Sequence, residues 1–154
     1  MVLNTRILEG FQTTKYPPAF IVALPRTGST LFQQIILSGF ELGYVTNIMA
    51  RFWKAPCVGA ALQADLMDNA FVSSFSSKFG NTMGPLEPHE WGWFWRDKLR
   101  LEGDAHYIDS HISIDWDELA ATLACIEHHL NAPLLFDNVF AMANLTEIRS
   151  HFRK

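Results

Sequence analysis

The chain has 154 residues, 49% of them hydrophobic and 18% charged, with a formal net charge of −4. A domain of roughly 150 residues can bury about 68–70% of the surface its unfolded chain exposes; with 13% aromatic residues, this excludes a disordered polymer and predicts one domain over residues 1–154. Mild acidity argues against a protein that coats nucleic acid, which relies on clustered Lys and Arg, and it leaves room for a local anion site.

The N-terminal residues 1–10 carry scattered charge and no apolar signal core. Apolar runs such as residues 19–24 fall far short of the ~20 residues that cross a bilayer. No membrane span and a cytoplasmic location are therefore expected. Cys57 and Cys125 are the only cysteines; a chain of this size needs no disulfide scaffold, and both are expected to be small core residues, with no zinc-ligand spacing.

In chain order, Ala19-Phe20-Ile21-Val22-Ala23-Leu24 lies between Pro17-Pro18 and Pro25 and predicts a strand buried on both faces of a parallel sheet. After a turn at residues 25–28, the pairs Leu31-Phe32 and Ile35-Ile36 recur at helical spacing, ending at Ser38-Gly39. Strand, glycine turn and helix make the first half of a βαβ unit. A short helix is predicted over residues 47–54, and Pro56 opens another to about Asp68. Residues 71–90 read as a long loop and residues 91–101 as a helix. Asp115 caps a helix over 116–130, with acids at its positive end and His128-His129 at its negative end. A second parallel strand is expected at Leu134-Leu135-Phe136, and Asn144 caps a last helix through Arg153. Two strands are few for a parallel sheet, so the sheet is expected to be incomplete at the C-terminus. Further chain beyond Lys154, a partner chain or a second copy would complete it.

The candidate site is Pro25-Arg26-Thr27-Gly28-Ser29-Thr30. A helix N-terminus offers unpaired N–H groups and about half a positive charge, which attract phosphate or sulfate. Gly28 admits close approach of an oxyanion, Ser29 and Thr30 add hydroxyls, and Arg26 adds a permanent forked cation. An ordinary strand-to-helix turn is the competing reading. The nucleotide-triphosphatase loop needs Gly-x4-Gly-Lys-[Ser/Thr]; here Ala23 and Ser29 stand at its first glycine and its lysine. That disfavours an ATPase, GTPase or nucleotide kinase, and no dinucleotide fingerprint is present.

The segment from Phe20 to Leu31 closely resembles the 5′-phosphosulfate loop of the sulfotransferases that use 3′-phosphoadenosine-5′-phosphosulfate (PAPS). The resemblance, to a bacterial branch of that family, continues through Ala50-Arg51-Phe52-Trp53-Lys54-Ala55-Pro56 with Gly59, then Phe79-Gly80-Asn81-Thr82, then Glu87-Pro88-His89-Glu90-Trp91-Gly92-Trp93-Phe94-Trp95. It implies a three-layer α/β fold of the P-loop type with a parallel sheet. It also implies sulfuryl transfer from PAPS to a hydroxyl or amine of a small-molecule acceptor, with no metal. Arg26, Thr27, Gly28, Ser29 and Thr30 would hold the 5′-phosphate and sulfuryl group, with Arg26 facing the bridging oxygen where charge develops.

The acceptor needs a base, and His89 and Glu90 are the two candidates, with Glu87 third. A carboxylate beside Trp91, Trp93 and Trp95 would be raised by desolvation. Against these roles, Glu87 and Glu90 read equally as acids in the first turn of the following helix. The family's second motif for the 3′-phosphate is not found before Lys154, and Asp137-Asn138 stand where the family often carries a lysine. The rival reading is a degenerate, non-catalytic relative that binds an anion or a partner chain; a kinase comes third. Phe71, Phe75 and Phe79 read as core positions, the tryptophans as either a pocket wall or packing, and His106, Asp109 and His111 as a solvated loop.

Overall fold

The computed structural model describes residues 8–67 and 72–152. In chain order the elements are β1 (Ala19–Phe20), α1 (Ser29–Gly39), a 3-10 turn at Met49–Phe52, α2 (Pro56–Leu66), β2 (Ser77–Lys78), β3 (Asn81–Thr82), α3 (Gly92–Lys98), α4 (Trp116–Leu130), β4 (Leu135–Phe136), α5 (Val139–Ala143) and α6 (Leu145–Phe152). The architecture is mixed α/β with a small parallel sheet. β1 runs parallel to β4, Ala19 opposite Leu135 and Phe20 opposite Phe136. Backbone bonds from Ala19 N–H to Leu134 C=O (2.8 Å) and from Ile21 N–H to Phe136 C=O (2.9 Å) hold the pair. On the other edge of β4, Gly43 makes an isolated parallel bridge to Leu134.

The core forms where α3, α4 and β4 meet. Trp91 stacks on Phe94 with centroids 3.8 Å apart, and Trp95 meets Phe136 edge-on at 5.2 Å. Each such pair adds about 0.5–1.5 kcal/mol to the burial of its rings. Leu119, Leu123, Ile126, Leu134 and Ile148 fill the remaining space. The start of α4 follows from Asp115, whose carboxylate accepts from Glu118 N–H at 2.8 Å, and its end from Asn131 in the left-handed region at φ 50°. Gln63 of α2 is buried and grips the neighbouring chain: it donates to Tyr44 C=O (2.6 Å) and accepts from the Thr46 hydroxyl (2.8 Å). Gly59 lets α2 sit close on the 3-10 turn, since a Cβ there would lie 2.8 Å from the Phe52 Cβ.

Several expectations from the sequence are corrected. The 19–24 run is not buried on both faces: Ile21 is buried, but Val22 and Leu24 are 67% and 72% exposed. In α1 the apolar Leu31, Phe32 and Ile35 face outward while Thr30, Gln33 and Gln34 are buried. The helix is therefore oriented by its polar contacts, above all Gln34 Nε2 donating to Glu87 (2.9 Å). The expected 47–54 helix shrinks to the 3-10 turn, with short-range bonds from Arg51 N–H to Ile48 C=O (3.1 Å) and from Ala55 N–H to Phe52 C=O (2.8 Å). Helix α2 stops at Leu66, and Asp68 lies outside the described residues. The 91–101 helix is shortened to Gly92–Lys98, with Arg100 at φ 55° turning the chain out.

Phe75 and Phe79 are not helical core: both have positive φ and exposed side chains, while Phe71 lies outside the described residues. Cys57 and Cys125 are buried as expected, but paired. They meet as a disulfide between α2 and α4 with Cα atoms 5.9 Å apart, inside the usual range. Asn144 precedes α6 but spends its side chain elsewhere, accepting from Ile108 N–H (2.8 Å) and donating to His106 C=O (2.7 Å). No helix among the described residues is long and apolar enough to cross a membrane.

Candidate functional site

The turn between β1 and α1 opens onto a cavity of about 450 Å³. Gly28 stands at φ 92°, and a Cβ added there would meet nothing within 4 Å. Backbone conformation, not packing, demands glycine, and the space before it is open. The first bond of α1 runs from Phe32 N–H to Gly28 C=O (3.0 Å), which leaves the N–H groups of Ser29, Thr30 and Leu31 without a helical acceptor. These donors, at the positive end of an 11-residue helix, are what an oxyanion requires.

Arg26, Gly28, Ser29 and Thr30 all line this cavity. Arg26 is exposed, has φ 69°, and rests its guanidinium 5.1 Å from the centre of the Phe79 ring. Thr27 does not line it; its hydroxyl donates to Leu24 C=O (2.6 Å) and so braces the turn rather than facing a ligand. The opposite wall is the β2–β3 hairpin, whose tip residues Phe79 and Gly80 both have positive φ (55° and 86°), the backbone of a tight two-residue hairpin.

The structure separates the three acid–base candidates. Glu90 lines the loop cavity and also a second one of about 700 Å³, so it stands between them. Its Oε1 lies 3.2 Å from where a Gly80 Cβ would be. Burial and, secondarily, the charge of Asp137 push its carboxyl above the ordinary 4.5. His89 lines the second cavity but not the first. Its Nδ1 accepts from Trp91 N–H at 2.7 Å. That bond places the ring proton on Nε2, leaving the imidazole no free lone pair for an acceptor's proton. Burial, then Arg51, depress its pKa.

Glu87 is structural. It is 3% exposed and accepts from Gln34 Nε2 (2.9 Å), the Ser73 hydroxyl (2.8 Å) and Ser74 N–H. Neither Glu87 nor Glu90 sits in the first turn of α3, which contains no acid.

Sequence reasoning did not assign Asp137 to the site. It follows β4 and lines the loop cavity; it is 9% exposed, and its Oδ2 has no hydrogen-bond partner. Burial raises its pKa, and the neighbouring Ser29 hydroxyl pulls the other way. Its position was a usable signal, since ligands of parallel sheets collect at the carboxyl ends of adjacent strands. Asn138 beside it donates to Glu90 C=O at 2.9 Å and caps α5 through Phe140 N–H and Ala141 N–H. Of the tryptophans, Trp91 and Trp95 are core, whereas Trp93 is 69% exposed and lines the second cavity. Compared with known proteins, the chain matches no family model, no curated protein and no solved structure.

Proposed function

We propose that this chain carries the phosphosulfate half of a PAPS-dependent sulfotransferase of P-loop type and moves a sulfuryl group to a hydroxyl or amine of a small molecule. The observation that carries this reading is the β1–turn–α1 junction: three N–H groups without a helical acceptor, an open space before Gly28 and the Arg26 cation on one cavity. PAPS would supply an activated sulfuryl group. The N–H groups of Ser29, Thr30 and Leu31 and the Ser29 and Thr30 hydroxyls hold the anionic oxygens, and Arg26 stabilises charge on the leaving oxygen. Glu90, between the two cavities, takes the acceptor's proton; Trp93 offers a flat wall for the acceptor on the far side.

Calorimetry tests this. Wild-type chain should bind 3′,5′-adenosine bisphosphate without Mg²⁺ and in preference to ATP, and Arg26→Ala should weaken that binding about tenfold or more, the value of one or two charge-assisted hydrogen bonds. Preference for ATP with Mg²⁺ would replace the reading with a kinase. Binding of neither nucleotide would favour the non-catalytic relative. The exposed Val22 and Leu24 just past β1, a strand that pairs only with β4 among the described residues, support a partner chain completing the sheet, which light scattering of the purified chain would reveal as a dimer.

A further inference from the structure

We infer that the acceptor is a cationic amine, and that its ammonium group is held by Asp137 and Glu90 across the mouth of the β1–α1 turn. The inference rests on the sulfuryl-transfer reading for the reaction, but the amine site stands on its own geometry.

Beside the amides and the Arg26 cation of the turn, the same cavity carries an acidic side. Arg26 is the only Lys or Arg among its lining residues, against two carboxylates, Glu90 and Asp137. The five buried side-chain atoms without a hydrogen-bond partner among the described residues belong to Gln34, Trp91, Trp95, Thr122 and Asp137. Of these residues, Asp137 alone lines the loop cavity. A nine-tenths buried carboxylate oxygen with no donor is costly unless something completes it. A donor entering the cavity would complete it, and beside a second carboxylate a cationic donor does so best. An ammonium carries three N–H donors and no acceptor, which suits two carboxylates that line one cavity from different segments of the chain. Burial raises both acids, and at Glu90 the charge of Asp137 adds to the rise.

The arrangement also orders the chemistry. The acceptor enters as R–NH₃⁺ and gives one proton to the Glu90 carboxylate. The freed lone pair forms the N–S bond while the bond from sulfur to the bridging oxygen breaks, its electron pair leaving with the nucleotide phosphate. The second proton passes to solvent, and the products are R–NH–SO₃⁻ and the bisphosphate. Asp137 retains a hydrogen bond to the remaining N–H and aims the nitrogen.

The test uses 2-phenylethylamine against 2-phenylethanol, which differ at the reacting group alone. Binding to the whole chain is followed by ligand-observed NMR titration, with and without 3′,5′-adenosine bisphosphate. The amine should bind about tenfold or more tightly than the alcohol, the gain expected when a charge-assisted bond replaces a neutral one. Asp137→Asn and Glu90→Gln should each erase most of that preference while leaving bisphosphate affinity equal or higher. Equal binding of the two probes, binding of neither, or a preference that survives both substitutions overturns the proposal. Displacement of the amine by millimolar Mg²⁺, with tighter bisphosphate binding in wild type alone, assigns the carboxylates to a metal and also overturns it. Loss of bisphosphate binding with the amine preference intact would instead remove the nucleotide reading and leave the amine site standing. Wild-type discrimination decides the matter even where a variant fails to fold.

Discussion

Removal of the Glu87 carboxylate should destabilise the chain far more than its loop position suggests. The side chain is 3% exposed and receives three hydrogen bonds, from Gln34 of α1 and from Ser73 and Ser74. In Glu87→Ala the amide of Gln34, itself 1% exposed, loses its acceptor, at about 1–3 kcal/mol for an orphaned buried group. The Ser73 and Ser74 donors lie nearer solvent and recover water, so their loss adds less. A total of about 2–4 kcal/mol follows, or a fall in Tm of roughly 5–15 °C for a chain of this size. The pH dependence has a definite sign. Burial alone would raise this carboxyl, but the hydrogen bonds outweigh it and hold the pKa below the ordinary 4.5. The ionised form is thus preferred in the folded state, so its contribution is present above the unfolded value and is lost as pH falls below 4.5 through the depressed folded value. Urea unfolding followed by circular dichroism at several pH values between 7 and 3 reads both effects, with Glu87→Gln as the isosteric control. Wild type and Gln variant losing stability in parallel on acidification would refute the account, as would an Ala variant within about 0.5 kcal/mol of wild type, the range of an ordinary surface change.

Gly59→Ala should destabilise by about 1–2 kcal/mol although alanine is the better helix former, because its Cβ would sit 2.8 Å from the Phe52 Cβ; chemical denaturation checks this. Gly28→Ala meets no atom but forces φ 92° on an L-residue, so it should cost roughly 1–2 kcal/mol without any packing change and weaken bisphosphate binding in calorimetry. If the chain transfers sulfuryl groups, its rate should rise with pH through a limb set by Glu90 and lying above 4.5. Asp137→Asn should move that limb to lower pH, and Glu90→Gln should abolish it. Trp93→Ala, at a position 69% exposed, should leave Tm within about 2 °C while weakening acceptor binding in the same NMR titration.

Short-range physics was legible in the residues. Pro-Pro before an apolar run, a glycine at the turn and the following helix placed the β1–α1 junction, since each depends on neighbours within a few positions. Asp115 located the start of α4 because a side-chain cap reaches its own first turn. The second strand was found where Pro133 and three apolar residues announced it, and the loop residues Arg26, Gly28, Ser29 and Thr30 do share one cavity.

What the sequence could not decide was which partner each side chain would meet. Helical spacing located α1 but not the face it buries, because a hydrogen bond to Glu87, 53 residues away, turns Gln34 inward. Trp91, Trp93 and Trp95 look alike in sequence, yet Trp91, in the left-handed region just before α3, and Trp95 within it are buried while Trp93 faces solvent. His89 and Glu90 are adjacent, and the bond from Trp91 N–H to His89 Nδ1 is what separates them as bases. Asp137 read as a departure at a strand end; its unpartnered oxygen and its place beside Glu90 exist only once β4 lies parallel to β1. Local backbone preferences are written in adjacent residues, whereas burial and unmet hydrogen-bonding demand are properties of groups brought together from distant parts of the chain.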